Sequence, residues 1–567
     1  MPRSCSTIGV RSQFQPSEPT APFWSTTTCI GVAEARYRYD NITIYQPIQK
    51  APQSCRLATE APSDETCQDR FDSVLGTERK ISNSIQIEKI MAFTPEQEAK
   101  LLQIVEAFEN GKRLNELPHV GTTNPFNLLV EVLDTDGESK QAQLATLLPY
   151  IEDECSYGIE WDTAVSSPVC TRIGSVALHK SLPIQNMMKG CILNDSGKIV
   201  EYLTPTNWLA HLRDGSIGQV MVEIPAHYRK FETDGTKRRA KISLYPIPGY
   251  HFVPKGYISA YEATVQRSTN KLCSVVNMDA DYRGGGNNSA WDGSYRTLLG
   301  RPATAISRTN FRTYARNRNT ATKEWNCADY NLYKTMVWLY YIEYANFNSQ
   351  AAFNAQKDAS GYAQGGLGNG VTTISDWSGF NSYYPFVPCG YTDELGNSSG
   401  EVAYTMQKED GSTHATVMVN RYRGIENPFG HIWKWTDGIN VEISSEADGG
   451  TSKVYVSDDP SKYNDSNYDG YSMRGLEARK EGYVKALIFG EFGEIMPEEV
   501  GAGTTTYFCD YHYTNIPASG KSLRGVLFGG GAYHGAVAGL AFAYSTNAPS
   551  HTYAHLGSRL CFIPQTA

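Results

Sequence analysis

The sequence predicts an α+β protein in which strands and ordered loops outweigh helix. Three observations carry this reading. Tyr (36) and Gly (50) are in excess at the expense of long helix formers, a bias toward strands, turns and aromatic surfaces. Val220, Val222 and Ile224 alternate within 219–225 and Pro225 closes the run, the period of a half-buried strand. Tyr330, Tyr333, Val337, Tyr340, Tyr341 and Tyr344 recur at helical spacing within 327–348.

Charge and cysteine usage exclude several classes. The net charge is −9, and no long basic run is present to neutralise phosphates, so a nucleic-acid partner is not expected. Lys237-Arg238-Arg239 follows the turn signal Asp234-Gly235 and reads as a solvated hairpin end. No stretch has the apolar length of a transmembrane helix, and the N-terminus lacks the apolar run of a secretory signal; membrane insertion is not expected. None of the 12 cysteines forms a CxxC pair, and most are read as reduced, buried thiols.

Four segments follow in order. Residues 1–90 hold scattered Pro, Ser and Thr with little periodicity, and are read as a disordered or spurious extension ahead of a native start at Met91. Residues 91–155 form a helical N-terminal segment. There Thr94-Pro95-Glu96-Gln97 supplies an N-cap, a proline at N1 and a Gln at N3, Leu101, Leu102, Ile104, Val105 and Phe108 a stripe, and Gly111 a stop. Residues 156–245 read as a β-rich lead-in module, or as the first strands of the next domain, with turns at Asp195-Ser196-Gly197 and Asp234-Gly235. Residues 246–567 run as one unit, with helices at 308–318 and 327–348 and long ordered loops over 358–400.

Five segments of that unit resemble, in order, the formylglycine-generating-enzyme (sulfatase-modifying-factor) type of C-type-lectin fold. They are 257–264 (YISAYEAT), 338–345 (WLYYIEYA), 429–435 (FGHIWKW), 524–531 (RGVLFGGG) and 557–562 (GSRLCF). The resemblance implies a C-type-lectin-like C-terminal domain preceded by a short helix and the lead-in module. Trp433 and Trp435 then share a strand face as core. His431 and Lys434 depart from the family's usual Asn and Glu, which weakens any metal ligation there.

An enzyme is not expected. The resembled oxidase uses a pair of its own cysteines near the C-terminus, whereas 525–558 holds none and Cys509 and Cys561 only flank it. No Ser-His-Asp, phosphate-loop or HExxH pattern occurs. Asp465-Ser466-Asn467-Tyr468-Asp469-Gly470 begins like a Ca²⁺ loop, but the twelfth position is Leu476 rather than a bidentate Glu. No cofactor is expected beyond a structural Ca²⁺ that this loop start would admit. His551 and His555 have ligand-like spacing without a neighbouring Cys or carboxylate, and are read as contact residues.

The functional signal lies in 525–558, 34 residues without Lys, Glu, Gln, Met or Trp. Those types make up 97 of the 567 residues, so about six would be expected. Codons ending in C cannot encode these five residues, and adenine-directed mutagenesis of AAC codons yields such codons. This resembles the signature of diversity-generating retroelements, whose targets are commonly C-type-lectin-like with a variable C-terminus. Within the stretch, Leu540, Phe542, Tyr544 and Thr546 alternate with small residues, and His551, Tyr553 and His555 alternate likewise, predicting two strands with one varied face. The predicted ligand-binding residues are Tyr533, His534, Leu540, Phe542, Tyr544, Thr546, Asn547, His551, Tyr553 and His555.

Finally, 182–191 and 223–228 resemble lead-in modules of tail-tip and tail-fibre proteins of phages infecting gut Bacteroidetes. That resemblance implies a receptor-binding adhesin on a virion tail, acting outside the cell on a host surface protein or glycan, and a homotrimer whose avidity multiplies weak sites. The alternatives are a cellular surface or secreted binder diversified in the same way, and an oxidase of the formylglycine-generating type.

Overall fold

The computed structural model describes residues 35–39, 42–46, 129–133 and 139–565. The chain divides into two compact units. One contains two antiparallel hairpins, Ala35–Tyr39 with Ile42–Gln46 and Leu129–Leu133 with Ser139–Gln143. The other holds everything described from Leu144 onward. The helix expected at 95–110 lies outside the described residues, as does most of 1–90.

The larger unit is a mixed α+β body dominated by antiparallel sheet. A five-stranded sheet runs in the order His251–Val253, His227–Asp234, Lys237–Ser243, Ser156–Asp162, Thr171–Gly174. The basic cluster sits on its central hairpin. Lys237 and Arg239 both pair with Glu160, at 2.8 and 2.7 Å, so this is a paired hairpin end.

A six-stranded sheet runs Trp325–Cys327, Leu560–Phe562, Gly256–Ser259, Gln219–Ile224, Lys189–Leu193, Ile199–Tyr202. It spans the expected boundary at 245. The strand Gln219–Ile224, the clearest alternating run of the lead-in segment, pairs directly with Gly256–Ser259, which pairs in turn with the closing strand Leu560–Phe562. Residues 156–245 are thus β-rich and share sheets with the C-terminal segment, the arrangement of the second reading, strands of the following domain. Burial explains the coupling: Val220, Met221, Val222 and Ile224 are all inaccessible, so both faces of this strand need cover. A second boundary also shifts, because the helix Leu144–Cys155 belongs to the larger unit.

The third and largest sheet carries the candidate site. Its order is Ser472–Leu476, Ser452–Val456, Trp433–Ser444, Lys521–Phe528, Ala543–Tyr544, Tyr511–Tyr513, Gly482–Leu487, Pro497–Val500, with Leu556–Gly557 parallel to the start of Trp433–Ser444. Trp433 and Trp435 are both buried. The ladder between Trp433–Ser444 and Lys521–Phe528 slips between Thr436 and Asn440. Gly438 occupies the slip at φ 78°, and a Cβ there would meet the Tyr463 ring at 2.8 Å, so this bend requires glycine.

The helix Tyr330–Tyr344 packs against strands of all three sheets. Asp329 caps it by accepting from the Leu332 N–H at 2.8 Å, and Ala345 ends it in the left-handed region. Fourteen of its side chains are buried. A helix apolar nearly all round is a core helix rather than an amphipathic one. The helix Arg308–Arg316 instead inserts charge: Arg312 pairs with the fully buried Asp437 at 2.5 Å. A buried cluster also accounts for the two departures from the resembled signature, since Glu262 pairs with both His431 and Lys434 (2.9 Å to the latter). A buried charge persists only when paired and hydrogen-bonded. No described helix is long and apolar enough to cross a membrane.

Candidate functional site

The stretch 525–558 begins and ends in the core and reaches the surface between. Val526, Leu527 and Phe528 are fully buried in the strand Lys521–Phe528. Beyond Gly529 and Gly530, both in the left-handed region, the chain leaves the sheet. It makes a short turn over Gly535–Val537, then returns as the two-residue strand Ala543–Tyr544. That strand is antiparallel to Leu527–Phe528 and parallel to His512–Tyr513.

Seven of the ten expected binding residues reach the surface. Tyr553 is 48% exposed, and Tyr533, His534, Tyr544, Thr546, His551 and His555 are half-buried. The rings of the six aromatic residues among them form one connected layer. His551 meets Tyr553 edge-on at 5.4 Å, and Tyr553 stacks on His555 at 5.7 Å and 7°. His555 lies 6.2 Å from Tyr533, which lies 4.1 Å from His534. Trp433 supports the layer from below, with His534 at 5.0 Å and Tyr544 at 5.2 Å. Rings that are half-buried and braced in this way offer contact area at little cost in conformational entropy.

Leu540 and Phe542 are corrections: both are fully buried and cannot touch a ligand. The expected alternation over 539–546 requires a continuous strand, but only Ala543–Tyr544 is paired. The turn preceding it is clamped from inside. The Ala541 N–H donates to Asp510 at 2.7 Å, the Tyr333 hydroxyl donates to the Leu540 carbonyl at 2.7 Å, and Phe542 packs on Trp433 at 4.5 Å. Asn547 is buried as well, and its side-chain oxygen lies 2.9 Å from His551 Nδ1; it positions His551 instead of contacting solvent. The strand expected at 551–555 is irregular loop ending in a turn at 554–555, and pairing begins only at Leu556–Gly557.

The layer also holds residues that the sequence reading missed. Tyr383 lies 5.2 Å from Tyr533 and 5.4 Å from His555. Tyr513 lies 5.7 Å from Tyr544, and Tyr511 and Tyr483 extend the row at 4.8 and 5.1 Å spacings. The alternation Tyr511-His512-Tyr513, with His512 fully buried, could have revealed two of these. Tyr383 gave no signal, because its backbone is left-handed at φ 63° inside a loop.

The electrostatics of the layer are close to neutral. Burial pushes His534 down to about 3 and His555 down to about 4, so both imidazoles are uncharged near neutral pH. Beneath the layer are two buried acids without a paired cation. Glu477 accepts from Ser545 and Thr514 hydroxyls at 2.9 and 3.1 Å, and burial pushes it up to about 8. Asp510 is held well above the usual carboxylate range, again by burial.

Neither flanking cysteine is activated. Cys509 and Cys561 are free and buried, and burial pushes each thiol up to about 12, far from the thiolate that nucleophilic or redox chemistry needs. The Ca²⁺-like loop does not fit a cation. Asp465 accepts from Arg308 Nε at 2.7 Å, from both Arg312 terminal nitrogens at 2.9 Å and from Thr309 at 2.6 Å. Burial opposes its ionisation, but the two guanidiniums win and hold it well below the usual carboxylate range. A metal would have to displace both. Among the described residues, no group of three or more His, Cys, Asp or Glu converges as a metal site.

No family model matches the sequence, and neither does any curated protein. Among solved structures, the chain is similar to PvdO from Pseudomonas aeruginosa at 10% identity and a TM-score of 0.28. The match covers 62% of this chain and 97% of that one. A likeness at that level bears on neither fold family nor function.

Proposed function

We propose that the protein is a receptor-binding adhesin, built on a C-type-lectin-like fold of the formylglycine-generating type, whose exposed ring layer is diversified to change its target. The observation that carries this reading is a coincidence of composition and position. The stretch without Lys, Glu, Gln, Met or Trp supplies six rings of the half-exposed layer (Tyr533, His534, Tyr544, His551, Tyr553 and His555), while their support, Trp433 and the helix Tyr330–Tyr344, comes from outside it. Variation there changes contact chemistry and leaves the frame alone. The lectin-like assignment is supported by the pairing of Gly256–Ser259 with Leu560–Phe562, the opening and closing strands of the resembled domain. A non-enzymatic role is supported by the two inert thiols. The virion-tail setting rests on the resemblance of the lead-in segments.

The locus tests the mechanism of variation. We expect a near-identical template repeat that differs from the 525–558 coding stretch only where the template carries adenine, beside a reverse-transcriptase gene. Tail genes around it would favour the phage adhesin over a cellular or secreted binder. A locus without such a repeat, with the stretch invariant among close isolates, would refute diversification.

A further inference from the structure

A second aromatic surface adjoins the ring layer and lies entirely outside 525–558. It is built on the one-turn helix Trp377–Asn381 and the loop after Trp291. The Arg296 guanidinium carbon sits over Trp291, 3.7 Å from the ring centroid, and the group donates to Ser382 Oγ at 2.8 Å and toward Asn381 Oδ1 at 3.4 Å. Tyr295, 37% exposed, packs on Phe380 at 5.6 Å, and Phe380 stacks on His414 at 3.7 Å and 6°. The two surfaces meet at 382–384. Ser382 and Tyr383 are successive left-handed residues, with φ of 53° and 63°. Tyr383 meets Tyr533, while Tyr384 meets Trp291 at 4.8 Å. Left-handed backbone at two adjacent non-glycine residues is costly, and is kept where surrounding contacts demand it.

Arg296 is the distinctive group. Its contacts are a ring, a hydroxyl and an amide oxygen, and among the described residues none is a carboxylate. Its neighbour Arg283, by contrast, is neutralised by Asp292 at 2.5 Å. A half-buried guanidinium fixed by stacking, with Nη1 unengaged, is a preorganised fork for a planar anion. A single cation matches a single charge and a planar fork matches a planar anion, hence a carboxylate in place of a tetrahedral phosphate or sulfate ester. The apolar face beside it matters equally. A carboxylated sugar carries its charge on a rigid ring with a C–H face, and so fills Arg296 and Tyr295 together. An acidic side chain on a flexible stem would leave Tyr295 bare.

We propose that Trp291, Tyr295, Arg296, Phe380 and Ser382 form a subsite for a carboxylated saccharide, with Arg296 taking the carboxylate and Tyr295 the sugar face. Its role as a constant anchor beside a variable face rests on the function proposed above; the subsite itself does not.

The test uses the full chain and trimers of galacturonate, glucuronate and mannuronate, each beside its carboxyl-reduced counterpart, by calorimetry and saturation-transfer NMR. At least one acidic trimer should bind, and its reduced form should bind at least tenfold more weakly. Arg296→Gln should cost at least tenfold, Arg296→Lys less, and Tyr295→Ala several-fold, with unfolding temperatures unchanged. Tyr544→Ala and Tyr553→Ala should leave trimer affinity intact. Failure of all three acidic trimers, equal binding of the reduced forms, or indifference to Arg296→Gln overturns the subsite. So does preference for an acidic peptide at Arg296. Adsorption to bacterial cells reads the adhesin function separately: loss of adsorption in Tyr544→Ala and Tyr553→Ala keeps that function standing even if every trimer fails.

Discussion

Replacing Glu477 with Gln should flatten the pH dependence of stability. Glu477 is 3% exposed, accepts only from the Ser545 and Thr514 hydroxyls, and its second oxygen has no partner. Its carboxyl is raised from 4.5 to about 8. A group whose folded value lies above its unfolded value contributes stability that is complete below the unfolded pKa and is lost as pH rises toward the folded one. The loss therefore falls between about pH 4.5 and 8. Each unit is worth about 1.4 kcal/mol, so at pH 7 the native protein should have lost about 3 kcal/mol of that contribution. Gln keeps the acceptor oxygen and cannot ionise. Any cost of its amide group is a constant offset, and the difference in slope is the signal. Relative to wild type, Glu477→Gln should gain steadily from pH 5 to 8, about 4 °C in unfolding temperature for a unit of this size. Asp510 titrates in both proteins and cancels. Parallel curves for the two proteins would refute the account of Glu477 as an unpaired buried acid beneath the ring layer.

Three further outcomes are expected. Trp433→Ala, which removes the ring under His534, Phe542 and Tyr544, should cost about 3–5 kcal/mol in denaturant unfolding and weaken cell binding together. Asp465→Asn removes a carboxylate that pairs with the buried Arg308 and Arg312 and should cost about 3–5 kcal/mol, while millimolar Ca²⁺ or EDTA leaves the wild-type unfolding temperature unchanged. With copper and a cysteine-containing peptide, wild type and Cys509→Ser should be equally silent in an oxidation assay; turnover lost in the variant would reinstate the oxidase alternative.

Much of the frame was legible in the sequence because its signals are local. The alternation over 219–224 matches the strand Gln219–Ile224, and the helices expected at 308–318 and 327–348 are Arg308–Arg316 and Tyr330–Tyr344. What the sequence could not convey is pairing over long separations. Glu262 meets His431 and Lys434 across some 170 positions, and nothing local announces that the three come together. The same limit hid the sheet that joins 189–224 to 560–562. At the site, alternation misled at Leu540 and Phe542 because a clamped turn imitates the period of a strand. The residues after the turn were readable by type, since half-exposed Tyr and His in a stretch without long charged side chains define a surface wherever the backbone takes them.

The most direct test of the central claim is exchange of the exposed layer alone. Tyr533, His534, Tyr544, Thr546, His551, Tyr553 and His555 would be replaced together with other residues encoded by C-ending codons, with Leu540, Phe542 and Asn547 kept. Binding to bacterial strains and thermal unfolding would be measured on the same preparations. A diversified adhesin should change which strains it binds while its unfolding temperature moves by no more than about 2 °C, as expected of surface substitutions. Unchanged strain choice, or unfolding of the domain, would contradict it.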